Sequence, residues 1–214
     1  MNEFLRPGRF IDSGHPAVVS FAEKHARGNS ARDRAISLYY VVRDEIRYNP
    51  FLDFTDPAVF TASKVLEAGQ GFCIGKAALL CAAARAAGLE ARVGFADVKN
   101  HLTSARLAET MGSDLFVFHG FTEFRLEDRW VKATPAFNIA LCRKFRVKPL
   151  EWDGRTDSIF HPFDEDQRRH MEYLRERGSY ADVPVDEIQR VFRETYPRFY
   201  SLGKDAAKET FTPG

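Results

Sequence analysis

The sequence predicts an α+β fold, with helices first, an antiparallel sheet next and helices again at the end. Three observations carry that prediction. An alanine-rich apolar run over residues 77–89 follows a glycine-marked break at Gln70-Gly71-Phe72. Two stretches rich in Phe and Val, 115–126 and 129–134, meet at Glu127-Asp128 and read as a β-hairpin. Residues 15–48 and 164–195 carry helical apolar spacing and helix-end residues.

Taken in order, residues 15–27 read as a helix, with Pro16 in the first turn and Gly28 past the end. Ser30 suits the N-cap of a second helix, 31–48. Its apolar stripe is Ile36, Tyr39, Tyr40, Val41 or Val42, and Ile46, and Asn49-Pro50 stops it. After a loop holding Asp53, Asp56 and Pro57, Thr61 opens a short helix that closes at Gly69. The next helix opens at Cys73 and runs to Gly88. It is small or apolar nearly all round, which predicts burial. Residues 89–98 alternate like a strand, 100–114 are polar and irregular, and the hairpin follows. Residues 145–150 read as a further strand, 164–177 and 184–195 as helices, and the tail after Gly203 as frayed. No repeat interrupts the chain. The organisation predicted is one domain over 1–214, with a core at about 31–150, a C-terminal helical extension at about 151–203 and a tail at 204–214.

Composition narrows the function classes. The chain has 214 residues, 44 % hydrophobic and 29 % charged, with a formal net charge of +1. That is a globular composition with no basic stripe, so nucleic acid is not an expected partner. The run 143–148 is broken by Phe145 and Val147. A membrane span needs about 20 apolar residues. The longest apolar run is shorter and contains Arg85, so no membrane partner is expected either. No apolar stretch follows a basic start at the N-terminus, so no signal peptide is read there. Three cysteines are an odd, sparse set. On one helix Cys73 and Cys81 lie roughly 12 Å apart, beyond disulfide reach. A cytoplasmic, reducing setting is expected.

Cys73 is the candidate nucleophile. A thiol in the first turn of a helix meets free N–H groups and the positive end of the macrodipole, which favour a thiolate and offer donors to an oxyanion. Gly71, Gly75 and Ala77 leave room around it. The competing reading is a small buried core residue, which is the reading preferred for Cys81 and Cys142. His119 is the candidate base. With a two-residue turn at Glu127-Asp128, facing residues have numbers summing to 255. Glu123 then pairs with Lys132, and His119 faces Ala136, with Thr134 and Asn138 as diagonal neighbours on the same face. A histidine so flanked suits a base held by an orienting group. A core histidine bonded to a backbone carbonyl is the alternative. His15 and His25 read as surface residues of the first helix, and His101 as a loop residue. His161 and His170, with Asp157, Asp164 and Glu172, lack a matched ligand spacing, so no metal is expected. Lys76 reads as solvated. No phosphate-binding glycine loop, GxSxG elbow or CxxC occurs, so no cofactor is expected.

Four segments together resemble the transglutaminase-like superfamily: VVRDEIRY (41–48), ASKVLEAGQGFCIGKAALLCAAA (62–84), LEARVGF (89–95) and FHGFTEFRLEDRWVKATP (118–135). The resemblance covers about residues 38–138. It implies a core circularly related to the papain-type fold, with Cys73 matching the nucleophile. His119, Glu123 and Trp130 match the H-x-x-x-E…W segment. It further implies acyl transfer or hydrolysis at an amide or peptide bond of a peptide or protein, through a thioester acyl-enzyme. One position departs: Thr134 stands where the family usually has an aspartate before the proline. A triad carboxylate fixes the imidazole tautomer and stabilises its cation. Thr134 can supply a hydrogen bond without charge, Asn138 can act as the papain-type asparagine does, or the site is a peptide-binding module that no longer turns over.

Overall fold

The computed structural model describes residues 2–100, 107, 109, 111–159, 171–203 and 205. Helix α1, Pro16–His25, opens where proline removes an N–H that would have no partner, and the His15 side chain accepts from the Ala17 amide. Helix α2, Ala31–Glu45, opens on a reciprocal cap in which Ser30 and Asp33 each accept the other's backbone N–H at 3.1 Å. It ends three residues earlier than predicted. Arg47–Tyr48 instead form a short strand, β1, paired in parallel with β2, Gln70–Gly71. Helix α3, Ala62–Ala68, closes at Gly69, where φ is 61°. Helix α4, Cys73–Ala86, is buried at every position from Cys73 to Arg85.

The main sheet has four antiparallel strands in the order β5-β4-β3-β6. They are β3 (Ala91–Asn100), β4 (Leu115–Leu126), β5 (Arg129–Ala133) and β6 (Met171–Tyr180). Helix α4 lies across one face. There Thr122 donates to the Ala77 carbonyl at 2.9 Å, and Gly120 meets Ile74 so closely that a Cβ would stand 2.9 Å from the Ile74 Cα. A smaller apolar cluster, Ala96, Val98, Phe121 and Met171, covers the opposite face. Helices α5 (Ile139–Phe145), α6 (Val185–Thr195) and α7 (Pro197–Leu202) complete the described chain. The α+β architecture and the buried cysteine-bearing helix on an antiparallel sheet are as the sequence predicts. Among the described residues no helix is long and apolar enough to cross a membrane.

The hairpin register is also as predicted. Thr122 faces Ala133 and Glu123 faces Lys132, around a turn in which Glu127 and Asp128 both have positive φ. The ladder stops at Ala133, however. Beyond it Thr134 donates to the Ser158 carbonyl, so His119 does not pair with Ala136 and faces Ala96 on β3.

Two elements differ from the sequence reading. Residues 171–177 belong to β6 rather than a helix, so 151–203 is not a helical extension; residues 164–170 lie outside the described residues. The Glu, Arg and Leu of that segment favour helix weakly, and pairing with the long strand β3 outweighs the preference. Residues 145–150 are not a strand. Helix α5 ends at Phe145, Arg146 takes a left-handed conformation, and the Val147 amide returns to the Cys142 carbonyl. Of the tail, only Asp205 is described.

Candidate active site

Cys73 is the first residue of α4, and its N-cap, Phe72, supplies no side-chain acceptor, so the first-turn N–H groups are not capped. The helix start packs tightly: a Cβ on Gly75 would lie 2.6 Å from the Val59 carbonyl oxygen. Cys73 is only 7 % exposed and lines a cavity with Tyr48, Phe54, Phe72, His119, Phe192 and Tyr196. The empty volume is about 440 Å³, part of it open solvent. Cys73 and His119, which belong to distant segments of the chain, thus line one space. Gly120 makes this approach possible: its missing side chain lets β4 close on the Cys73-Ile74 backbone.

The electrostatics depart from the sequence expectation. Burial pushes the Cys73 thiol up to about 11, and backbone amide groups of Gly120, Ile74 and Cys73 pull it down by less. An apolar cavity penalises the thiolate more than the helix start favours it. Left to itself, the thiol is neutral at pH 7. Cys81 and Cys142 are buried free thiols, pushed up to about 12 and 11, as core cysteines are.

His119 also borders a second cavity, which Cys73 does not line, with Thr134, Phe137, Cys142 and Met171. Thr134 is buried, and its hydroxyl oxygen has no hydrogen-bond partner among the described residues. Asn138 is committed elsewhere: its side-chain oxygen accepts from the Tyr48 amide at 3.2 Å, and it borders neither cavity. Of the two candidate orienting groups, Thr134 alone shares a space with His119. Glu123 and Trp130 are occupied away from the sulfur. The Arg92 guanidinium bonds Glu123 at 2.5 Å and stacks 4.1 Å from the Trp130 ring centre.

Lys76 is not solvated. It is fully buried, and its ammonium nitrogen donates to the carbonyls of Arg43 (2.8 Å) and Ile46 (2.6 Å), closing the end of α2. Burial pushes its amine well below the ordinary value, while the Asp44 carboxylate pulls the other way. His101, His161, His170 and Asp164 lie outside the described residues. Among those described, no group of three His, Cys, Asp or Glu could hold a metal.

Sequence reasoning missed the irregularity just before His119. Val98 faces Phe116 and Ala96 faces His119, so Val117 and Phe118 together oppose Asp97. This is a β-bulge, and Phe118 sits in it at φ 55°, a conformation costing a non-glycine residue about 1–3 kcal/mol. The signal was available in Asp97, a carboxylate within an otherwise apolar stretch of strand, where a buried charge requires partners.

No curated protein matches the chain. A crystal structure of a proposed cysteine protease from Cytophaga hutchinsonii is similar in fold, with a TM-score of 0.50 at 15 % identity. The similarity covers 84 % of this chain but 46 % of that one, so this chain spans less than half the length of that protein. The family model of the transglutaminase-like superfamily matches residues 19–135, more than half of the chain and a stretch that includes Cys73, His119 and Thr134, and the protein belongs to that superfamily.

Proposed function

We propose that the protein is a cysteine-dependent enzyme that cleaves or transfers an acyl group at an amide or peptide bond. The observation that carries this is the shared cavity of Cys73 and His119 at an uncapped helix start. Because burial holds the thiol neutral, the imidazole removes its proton as the sulfur attacks, rather than meeting a preformed thiolate. The first-turn N–H groups of α4 hold the developing oxyanion. The proton on His119 then passes to the leaving amine, giving a thioester on Cys73 that water or an amine releases. Thr134 shares the second cavity with His119, and its hydroxyl, which bonds no other group among the described residues, turns to accept from the ring once the imidazole carries the proton. The aromatic lining, Phe54, Phe72 and Phe192 among it, favours a substrate with an apolar side chain on the acyl part.

The second reading, a peptide-binding module without turnover, draws on the raised thiol and on threonine at the usual aspartate position. Incubation with short peptide amides bearing phenylalanine or glutamate on the acyl side separates the two. The enzyme reading expects cleavage of the phenylalanine amide at least a hundredfold faster, and a mass increment on Cys73 equal to the acyl group after acid quenching. Binding of the peptides with neither cleavage nor an adduct establishes the module.

A further inference from the structure

We propose that Arg177 and Tyr196, from the segment beyond the family match, grip the β4 bulge from two sides and so set the position of His119; the inference rests on the catalytic reading above. The bulge matters because of strand parity. Ala96 and Val98 are two residues apart and point to one face, yet their partners His119 and Phe116 are three apart. Without the extra residue in β4, His119 and Phe116 would project to opposite faces of the sheet.

An insertion of that kind frees backbone groups in a buried strand, and these must be satisfied. Here they are met by Asp97 on β3 and by side chains from the C-terminal segment. The Val117 amide donates to the Tyr196 hydroxyl at 2.7 Å, and that hydroxyl donates to the Leu115 carbonyl at 2.7 Å. The Phe118 amide donates to Oδ1 of Asp97 at 3.1 Å. Asp97 is in turn held by both arms of Arg177, each at 2.8 Å. The Arg177 guanidinium also lies 4.6 Å from the Phe118 ring centre, over the residue with the left-handed backbone. Arg177 is itself the extra residue of a bulge in β6: Phe95 faces Gly178 and Ala96 faces Glu176. Two bulges, on the strands either side of β3, thus meet at one carboxylate of β3. Asp97 is 6 % exposed and Tyr196 4 %, so little water competes for these bonds. The residues act through the backbone before His119, which makes them positioning residues.

The test is a double-mutant comparison. Iodoacetamide alkylation of Cys73 is followed at pH 7 by site-resolved mass spectrometry, for Tyr196→Phe, Arg177→Met and Arg177→Lys, each in the wild-type and the His119→Ala background. Urea unfolding confirms that every variant is folded during labelling. Tyr196→Phe and Arg177→Met are expected to slow alkylation about tenfold in the wild-type background and less than twofold when His119 is already alanine. Arg177→Lys, which keeps the charge, is expected to recover part of the rate. Tyr196→Phe removes a single oxygen and serves where Arg177→Met does not fold. Equal slowing in both backgrounds, or none in either, overturns the inference while leaving the catalytic pair intact. If wild type and His119→Ala label alike, the catalytic reading itself fails, and the inference falls with it.

Discussion

The two halves of the candidate site are held by opposite means. The cysteine side is built by close apolar packing: α4 is buried from Cys73 to Arg85, and Gly75 and Gly120 allow backbone to touch backbone or nearly so. The histidine side is built by directed polar bonds around an irregular strand, with Asp97, Arg177 and Tyr196 meeting the backbone groups that the bulge leaves over. Packing gives the sulfur a fixed but dehydrated place, which is why its thiol is pushed up rather than down. On the proposed reading the imidazole supplies what the helix start cannot, and its placement then governs the rate.

Variants on the two sides test this contrast, and the largest effect lies on the sulfur. Cys73→Ala should reduce amide cleavage to background, a fall of order 10⁶ in comparable triads, with unfolding free energy changed by under about 1 kcal/mol. A stopped assay together with urea unfolding reads both. On the packing side, Gly120→Ala puts a Cβ 2.9 Å from the Ile74 Cα. It should destabilise by about 1–3 kcal/mol and also slow labelling of Cys73, because β4 is pushed off the helix start.

Lys76→Met removes the donors to the Arg43 and Ile46 carbonyls, at a cost of about 2 kcal/mol in urea unfolding. It should also change the pH dependence. The Lys76 amine titrates lower when folded than the ordinary 10.5, so between those two values the unfolded chain binds the extra proton and stability rises with pH. The variant should flatten that rise, as measured by unfolding midpoints from pH 8 to 10.5. The smallest effect is expected at Thr134→Val, which keeps shape and loses the hydroxyl. A fall of about tenfold in kcat with KM unchanged is one hydrogen bond's worth of orientation. No change would show that Thr134 only packs.

The same contrast explains what could be read from the sequence. The cysteine side is local: a glycine break, a thiol and an alanine-rich run lie within about twenty residues, and they specify both the helix and its burial. The hairpin is local too, so its register followed from the turn at Glu127-Asp128. The grip on His119 is not. Arg177 and Asp97 are 80 residues apart, as are Tyr196 and Val117 within one residue. No periodicity encodes such pairs, and the Glu- and Arg-rich composition of β6 points to helix. Lys76 was misread for the same reason. Its acceptors close α2, thirty residues upstream, and a lysine in sequence gives no sign that two carbonyls await it.

The central claim, that the imidazole removes the proton of a buried thiol, is tested most directly by the pH profile of Cys73 alkylation in wild type and His119→Ala. The account predicts that wild type labels at pH values well below the range in which the thiol itself titrates. In the variant that low-pH labelling should be lost, leaving labelling that rises only as the thiol titrates towards about 11. Identical profiles, both rising only at high pH, would contradict it.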